Sequence, residues 1–146
     1  MKKSVFVALL CLVSVLLISC TVPYSFMHGE PDIDKIKIEI VNLETEMGYH
    51  EGSPYDEENV SVIKVIEKDK NKEFISDFKK IKSYQPVIGS RIVFVSGEAI
   101  RITYANGDVE LITYCGTATV KNGEIMVETT TFDSDEFSKL IDKYSK

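Results

Sequence analysis

The pair Asn106-Gly107 narrows the fold of this chain more than any other feature. Asn-Gly is the preferred pair for a two-residue type I′ hairpin, because both central residues need positive φ. Read that way, it sets Tyr104 opposite Val109, Ile102 opposite Leu111 and Ile100 opposite Thr113. Ile100, Ile102, Tyr104, Val109 and Leu111 then line one apolar face, with Cys115 beside them as a small buried hydrophobe. Arg101, Thr103, Glu110, Ile112 and Tyr114 fall on the other face. A second pair, Asn122-Gly123, sets Val120 against Ile125 and Ala118 against Val127, and Ser96-Gly97 marks a third turn or a bulge. Residues 91–131 therefore read as an antiparallel meander of four or five strands.

The flanking segments set the class. Lys35–Val41 alternates Ile36, Ile38 and Ile40 with charged residues, the pattern of a half-buried strand. Val60–Ile66 is apolar on both sides and suits a central strand. Phe74, Ile75, Phe78 and Ile81 fall at helical spacing within Lys70–Lys82, with Asp69 or Asn71 as cap. The final helix has the best-marked start. Asp133 is its N-cap, Glu136 completes a capping box, and Phe132 with Phe137 forms a hydrophobic staple. The expected fold is α+β: ββα, then the meander, then α, with two helices packed on one face of an antiparallel sheet.

The N-terminus is of a different character. Lys2 and Lys3 precede an uncharged, mostly apolar run from Ser4 to Ile18, which is shorter than the about 20 apolar residues that span a bilayer. It ends Leu17-Ile18-Ser19-Cys20, which resembles the lipobox of bacterial lipoproteins. That resemblance implies a signal peptide over residues 1–19, cleavage before Cys20, and lipid on the Cys20 sulfur that anchors the chain to a membrane on its extracytoplasmic side. The segments IRITYANGDVELI and DSDEFSKLIDKY resemble parts of small lipoproteins from low-GC Gram-positive bacteria, a likeness that implies no activity. Residues 20–33, with two prolines and a glycine, read as the lipidated N-terminus and a tether, and 34–146 as a single domain.

Removing the leader leaves 15 basic against 23 acidic residues, a net charge of −8. That balance argues against nucleic acid as a partner. With Cys20 committed to lipid, Cys115 has no mature partner and no disulfide is expected. No G-x-S-x-G, H-E-x-x-H, P-loop or C-x-x-C occurs, so neither a catalytic set, a metal nor a cofactor is expected. The long acidic loop 44–59, with Tyr49, His50 and Tyr55, and the sheet face bearing Arg101 and Tyr114 are the candidate partner contacts. The leading expectation is a membrane-anchored, non-enzymatic module that binds a protein or envelope component. The alternatives are a small-molecule carrier, an inhibitor or immunity protein against a cationic partner, and a hydrolase or metal-dependent enzyme of unfamiliar type.

Overall fold

A computed structural model of the chain describes residues 21–44, 52, 54–85, 97–128 and 130–146. The fold is α+β, as expected. Six antiparallel strands form the main sheet: β1 (Lys37–Leu43), β2 (Val60–Val65), β4 (Gly97–Thr103), β5 (Val109–Thr113), β6 (Gly116–Lys121) and β7 (Glu124–Glu128), in the order β2-β1-β4-β5-β6-β7. Two short strands, β3 (Ser83–Tyr84) and β8 (Thr131–Phe132), pair apart from it. The helices are α1 (Asn71–Phe78) and α2 (Ser134–Tyr144). Among the described residues, no helix is long and apolar enough to cross a membrane.

Both helices lie on one face. Phe74, Ile75 and Phe78 of α1 and Phe137, Leu140 and Ile141 of α2 are buried with Ile38, Ile40, Ile100, Ile102 and Ile112 of the sheet. The cap of α2 forms as expected, with the Asp133 carboxylate accepting from the backbone of Asp135 and Glu136. Glu136 turns elsewhere: its carboxylate accepts from Lys82 N–H at 3.0 Å and ties the two helical segments together. Helix α1 is shorter than its apolar stripe, because Lys80 and Ile81 close it with bonds to Asp77 and Phe78 three residues back. Asn71 does not cap it. Its buried amide donates to the carbonyls of Ile33 and Ile36, both at 3.2 Å.

The two Asn-Gly pairs part company. Asn122-Gly123 is the expected two-residue turn, with φ of 53° and 81° and with Val120 opposite Ile125. Around Asn106-Gly107 the loop has three residues. Gly107 N–H bonds Tyr104 O, Tyr104 N–H bonds Asp108 O, and only Gly107 takes positive φ. This is a type I turn closed by a left-handed glycine. The register moves by one, so Ile100 faces Ile112 and Ile102 faces Glu110. Glu110 thereby enters the helix-covered face, while Val109 and Leu111 go to the opposite one, where Arg101 lies as expected.

That opposite face is not open. Tyr55 N–H bonds Gly123 O at the β6–β7 turn, and five residues later Val60 pairs with Leu43. Five residues span at most about 18 Å. In a flat sheet β7 and β2 would stand about 24 Å apart. The sheet therefore curls, and the segment around Tyr55 crosses its concave side. Beneath it lies a second core of Val41, Leu43, Ala99, Val109, Leu111, Ala118, Val120 and Ile125.

Two further expectations change. Strand β2 is an edge, not a central strand. The supposed tether belongs to the domain: Phe26 is buried in the main core, and Tyr24 packs edge-on against Phe26, Phe78 and Phe132. Composition hid this, because prolines and a glycine are equally at home in an ordered strap.

Candidate functional site

Cys20, Tyr49 and His50 lie outside the described residues. Tyr55 and Arg101 come together, but in a closed setting. Curling brings Tyr55 over Arg101, whose side chain is only 8% exposed. Arg101 Nε donates to Glu39 Oε2 at 2.9 Å, and Nη1 donates to Glu57 Oε2 at 2.6 Å and to the Tyr55 hydroxyl at 3.2 Å. Lys37 Nζ sits 2.7 Å from the second oxygen of Glu39. Burial works against the guanidinium charge, yet the Tyr55 bond and the Glu39 and Glu57 carboxylates together hold its pKa above the ordinary value. Burial likewise pushes the Tyr55 hydroxyl up. The expected open contact patch at Arg101 is thus a clasp that fastens the crossing segment to the sheet. Its inner pair, Arg101 and Glu39, is strongly interdependent, because removing either would leave a buried charge unpaired.

On the helix face the shifted register creates a second polar centre that sequence reasoning missed. Glu110 is buried, and among the described residues no cation pairs with it. It accepts hydrogen bonds from the hydroxyls of Tyr24 and Tyr104, and the Met27 N–H lies 3.3 Å from Oε1. Desolvation raises the Glu110 pKa, and the two tyrosine bonds pull against that shift. Next along the strap, His28 Nε2 meets Asp108 Oδ2 at 2.9 Å, and the His28 ring packs edge-on to Tyr104 at 4.8 Å. A shallow cleft of about 320 Å³ opens beside them, lined by Glu30, Asp32, Lys35 and Asn106 among others. Asp108 orients the imidazole as it would a general base. The cleft lining holds no serine, threonine or cysteine for such a base to activate, and the Tyr104 hydroxyl is committed to Glu110. Among the described residues, no group of three His, Cys, Asp or Glu side chains is placed to hold a metal.

The surface is more informative. Val62, Ile63 and Val65 of β2 are 47%, 43% and 46% exposed. Among the described residues no strand pairs with the outer side of β2. A bulge between Ile40 and Val41 breaks the register beside it, so consecutive aliphatic side chains of β2 are turned outward. At one end of the sheet, Tyr114 and Cys115 form the two-residue turn between β5 and β6. Tyr114 is 53% exposed. Cys115 is half-buried, with its sulfur 3.3 Å from the Thr113 hydroxyl, rather than inside the apolar face as the slipped register implied. Neither a family model, a curated protein nor a solved structure matches this chain.

Proposed function

We propose that the protein is a lipid-anchored, extracytoplasmic, non-enzymatic module that binds a partner protein by adding an extended segment to the free edge of β2. The observation that carries the binding reading is that edge: a strand paired on its inner side with β1, with no described strand on its outer side, and bearing three exposed aliphatic side chains. Edge strands are ordinarily guarded by charge, proline or a cover, because their free N–H and C=O groups recruit other chains. An extended partner would gain main-chain hydrogen bonds from β2 and place its own apolar side chains against Val62, Ile63 and Val65. The anchor rests on the leader and on the resemblance of Leu17-Ile18-Ser19-Cys20 to a lipobox. The acidic balance disfavours nucleic acid and suits a neutral or cationic partner.

Val62→Lys combined with Val65→Lys tests the edge. Both side chains are exposed, so the thermal midpoint of the variant should stay within a few degrees of the parent, as for surface changes of about 0.5 kcal/mol. A protein that is captured reproducibly from envelope extract by the parent chain should be lost with the variant. Equal capture by both overturns the edge reading.

A further inference from the structure

The structure carries a consequence for how such an anchor would hold the domain, and it rests on the lipidation of Cys20 proposed above. Thr21 is not the start of a loose tether. It forms a β-bridge with Tyr84, the Val22 N–H bonds Ser83 O at 3.2 Å, and the Ser83 hydroxyl donates back to the Val22 carbonyl. One peptide bond separates Thr21 from Cys20, a Cα step of about 3.8 Å. A free tether of a dozen residues would let the domain wander by roughly 20 Å. A strap fixed at its first described residue leaves almost no such slack.

The same bonds define which end of the domain would meet the lipid. Thr21 bridges Tyr84, Tyr84 pairs with Thr131, and the neighbouring Phe132 N–H bonds the Tyr114 carbonyl at 2.7 Å. Three lateral steps of this kind put Tyr114 within about 15 Å of Thr21. The strap then runs away from this end, with Met27 over Glu110 and His28 at Asp108. The tip of the β4–β5 hairpin, residues 105–107, therefore lies at the far end of the sheet, roughly 20 Å further along the strands. At the near end, exposed Tyr114 and half-buried Tyr84 carry side chains with an apolar ring and a polar tip, the kind that settles at the boundary of headgroups and acyl chains. The net acidity of the mature chain supplies no general attraction to a bilayer, so orientation would come from the position of the anchor and from these rings.

We propose that the pole formed by Thr21, β3, β8 and the Tyr114–Cys115 turn rests against the bilayer interface, with Tyr114 at headgroup level. The domain would then stand upright on its anchor, presenting the far hairpin outward and the β2 edge sideways along the membrane.

The chain contains no tryptophan, so Tyr114→Trp and Ala105→Trp each introduce a unique reporter at an exposed turn residue. Each full-length chain is expressed in a bacterial host, purified from the membrane fraction and placed in phosphatidylcholine vesicles with brominated acyl chains. The mass of the N-terminal peptide is read on the same sample. The expected result is an acylated Cys20, with the emission of the Tyr114→Trp chain blue-shifted and several-fold more quenched than that of the Ala105→Trp chain. Ten Gly-Ser residues inserted between Cys20 and Thr21 should bring the quenching of the Tyr114→Trp chain down toward that of the Ala105→Trp chain. An acylated protein in which the two reporters are quenched alike, or in which the insertion changes nothing, overturns the orientation and leaves the anchor standing. An N-terminal peptide with no acyl mass overturns the anchor and the orientation together.

Discussion

At the scale of single residues, Glu110 is the side chain whose setting is least expected of its chemistry. It is an acid inside an apolar layer, with two hydroxyls and one amide but, among the described residues, no positive charge around it. Burial raises its pKa, so over the interval between its unfolded and folded values the native state keeps a proton that the unfolded chain has lost. Stability falls as pH rises through such an interval, because the unfolded state binds fewer protons than the native one. Glu73 and Asp77 act in the opposite sense. Hydrogen bonds from Lys143 hold both below the usual carboxylate range, and the stability they lend is lost as pH falls. Comparing the parent chain with Glu110→Gln isolates the first effect. Urea midpoints measured from pH 4 to pH 8 should show the parent losing stability relative to the variant as pH rises. A constant difference between the two would mean that Glu110 titrates alike in both states. Tyr24 and Tyr104 hold the carboxylate from two sides, and this explains why an acid is tolerated there at all.

At the scale of elements, the β4–β5 hairpin shows what residue pattern can decide and what it cannot. Asn122-Gly123 and Asn106-Gly107 carry the same turn signal, yet one closes with two residues and the other with three. The difference lies in the side chains next to the second turn. Asn106 Oδ1 accepts from Asp108 N–H at 3.1 Å, and its amide donates to the Asp108 carboxylate at 2.9 Å, a local arrangement that favours the longer loop. Hydrophobic alternation did not expose the slip, because both faces of β4 and β5 are buried and either register satisfies an apolar face. The helices, which have one wet side, were legible to within a turn, whereas Val109, Glu110 and Leu111 were placed on the wrong faces and Cys115 in the core instead of the β5–β6 turn. Arg101 was on the correct face, and what the pattern did not report is that this face is covered. The crossing segment and the curl that seals the second core depend on contacts far apart in sequence, and no local pattern reports them. The three-residue loop has its own test. Gly107 sits at φ 88° with open space where a side-chain methyl would stand, so Gly107→Ala meets backbone strain and not a clash. It should cost about 1–2 kcal/mol, whereas Asn106→Gly, at a position with ordinary φ, loses mainly the Asp108 bonds at about 1 kcal/mol. Chemical denaturation of both variants would check the order.

At the scale of the whole molecule, the domain is a curled sheet with a core on each side, and the strap of residues 21–36 is a structural layer of the helix-side core. Tyr24, Phe26, Phe78 and Phe132 form one aromatic group, with ring centroids between 5.1 and 5.7 Å apart for the contacting pairs. The strap also supplies two of the bonds on Glu110 and receives the amide of Asn71. A chain shortened to begin at Asp34, the boundary that composition suggests, would lose this layer and expose Phe78 and Phe132. Losing the buried Phe26 alone is comparable to a core Phe→Ala change, about 3–5 kcal/mol, and the bare Glu110 carboxylate adds to it. A small domain has a total stability of only about 5–15 kcal/mol. The chain beginning at Asp34 should therefore unfold at a much lower urea concentration than one beginning at Thr21, or fail to show a cooperative transition. Equal midpoints would mean that the strap is a passenger, and with it would go the argument that an anchor at Cys20 fixes the orientation of the domain.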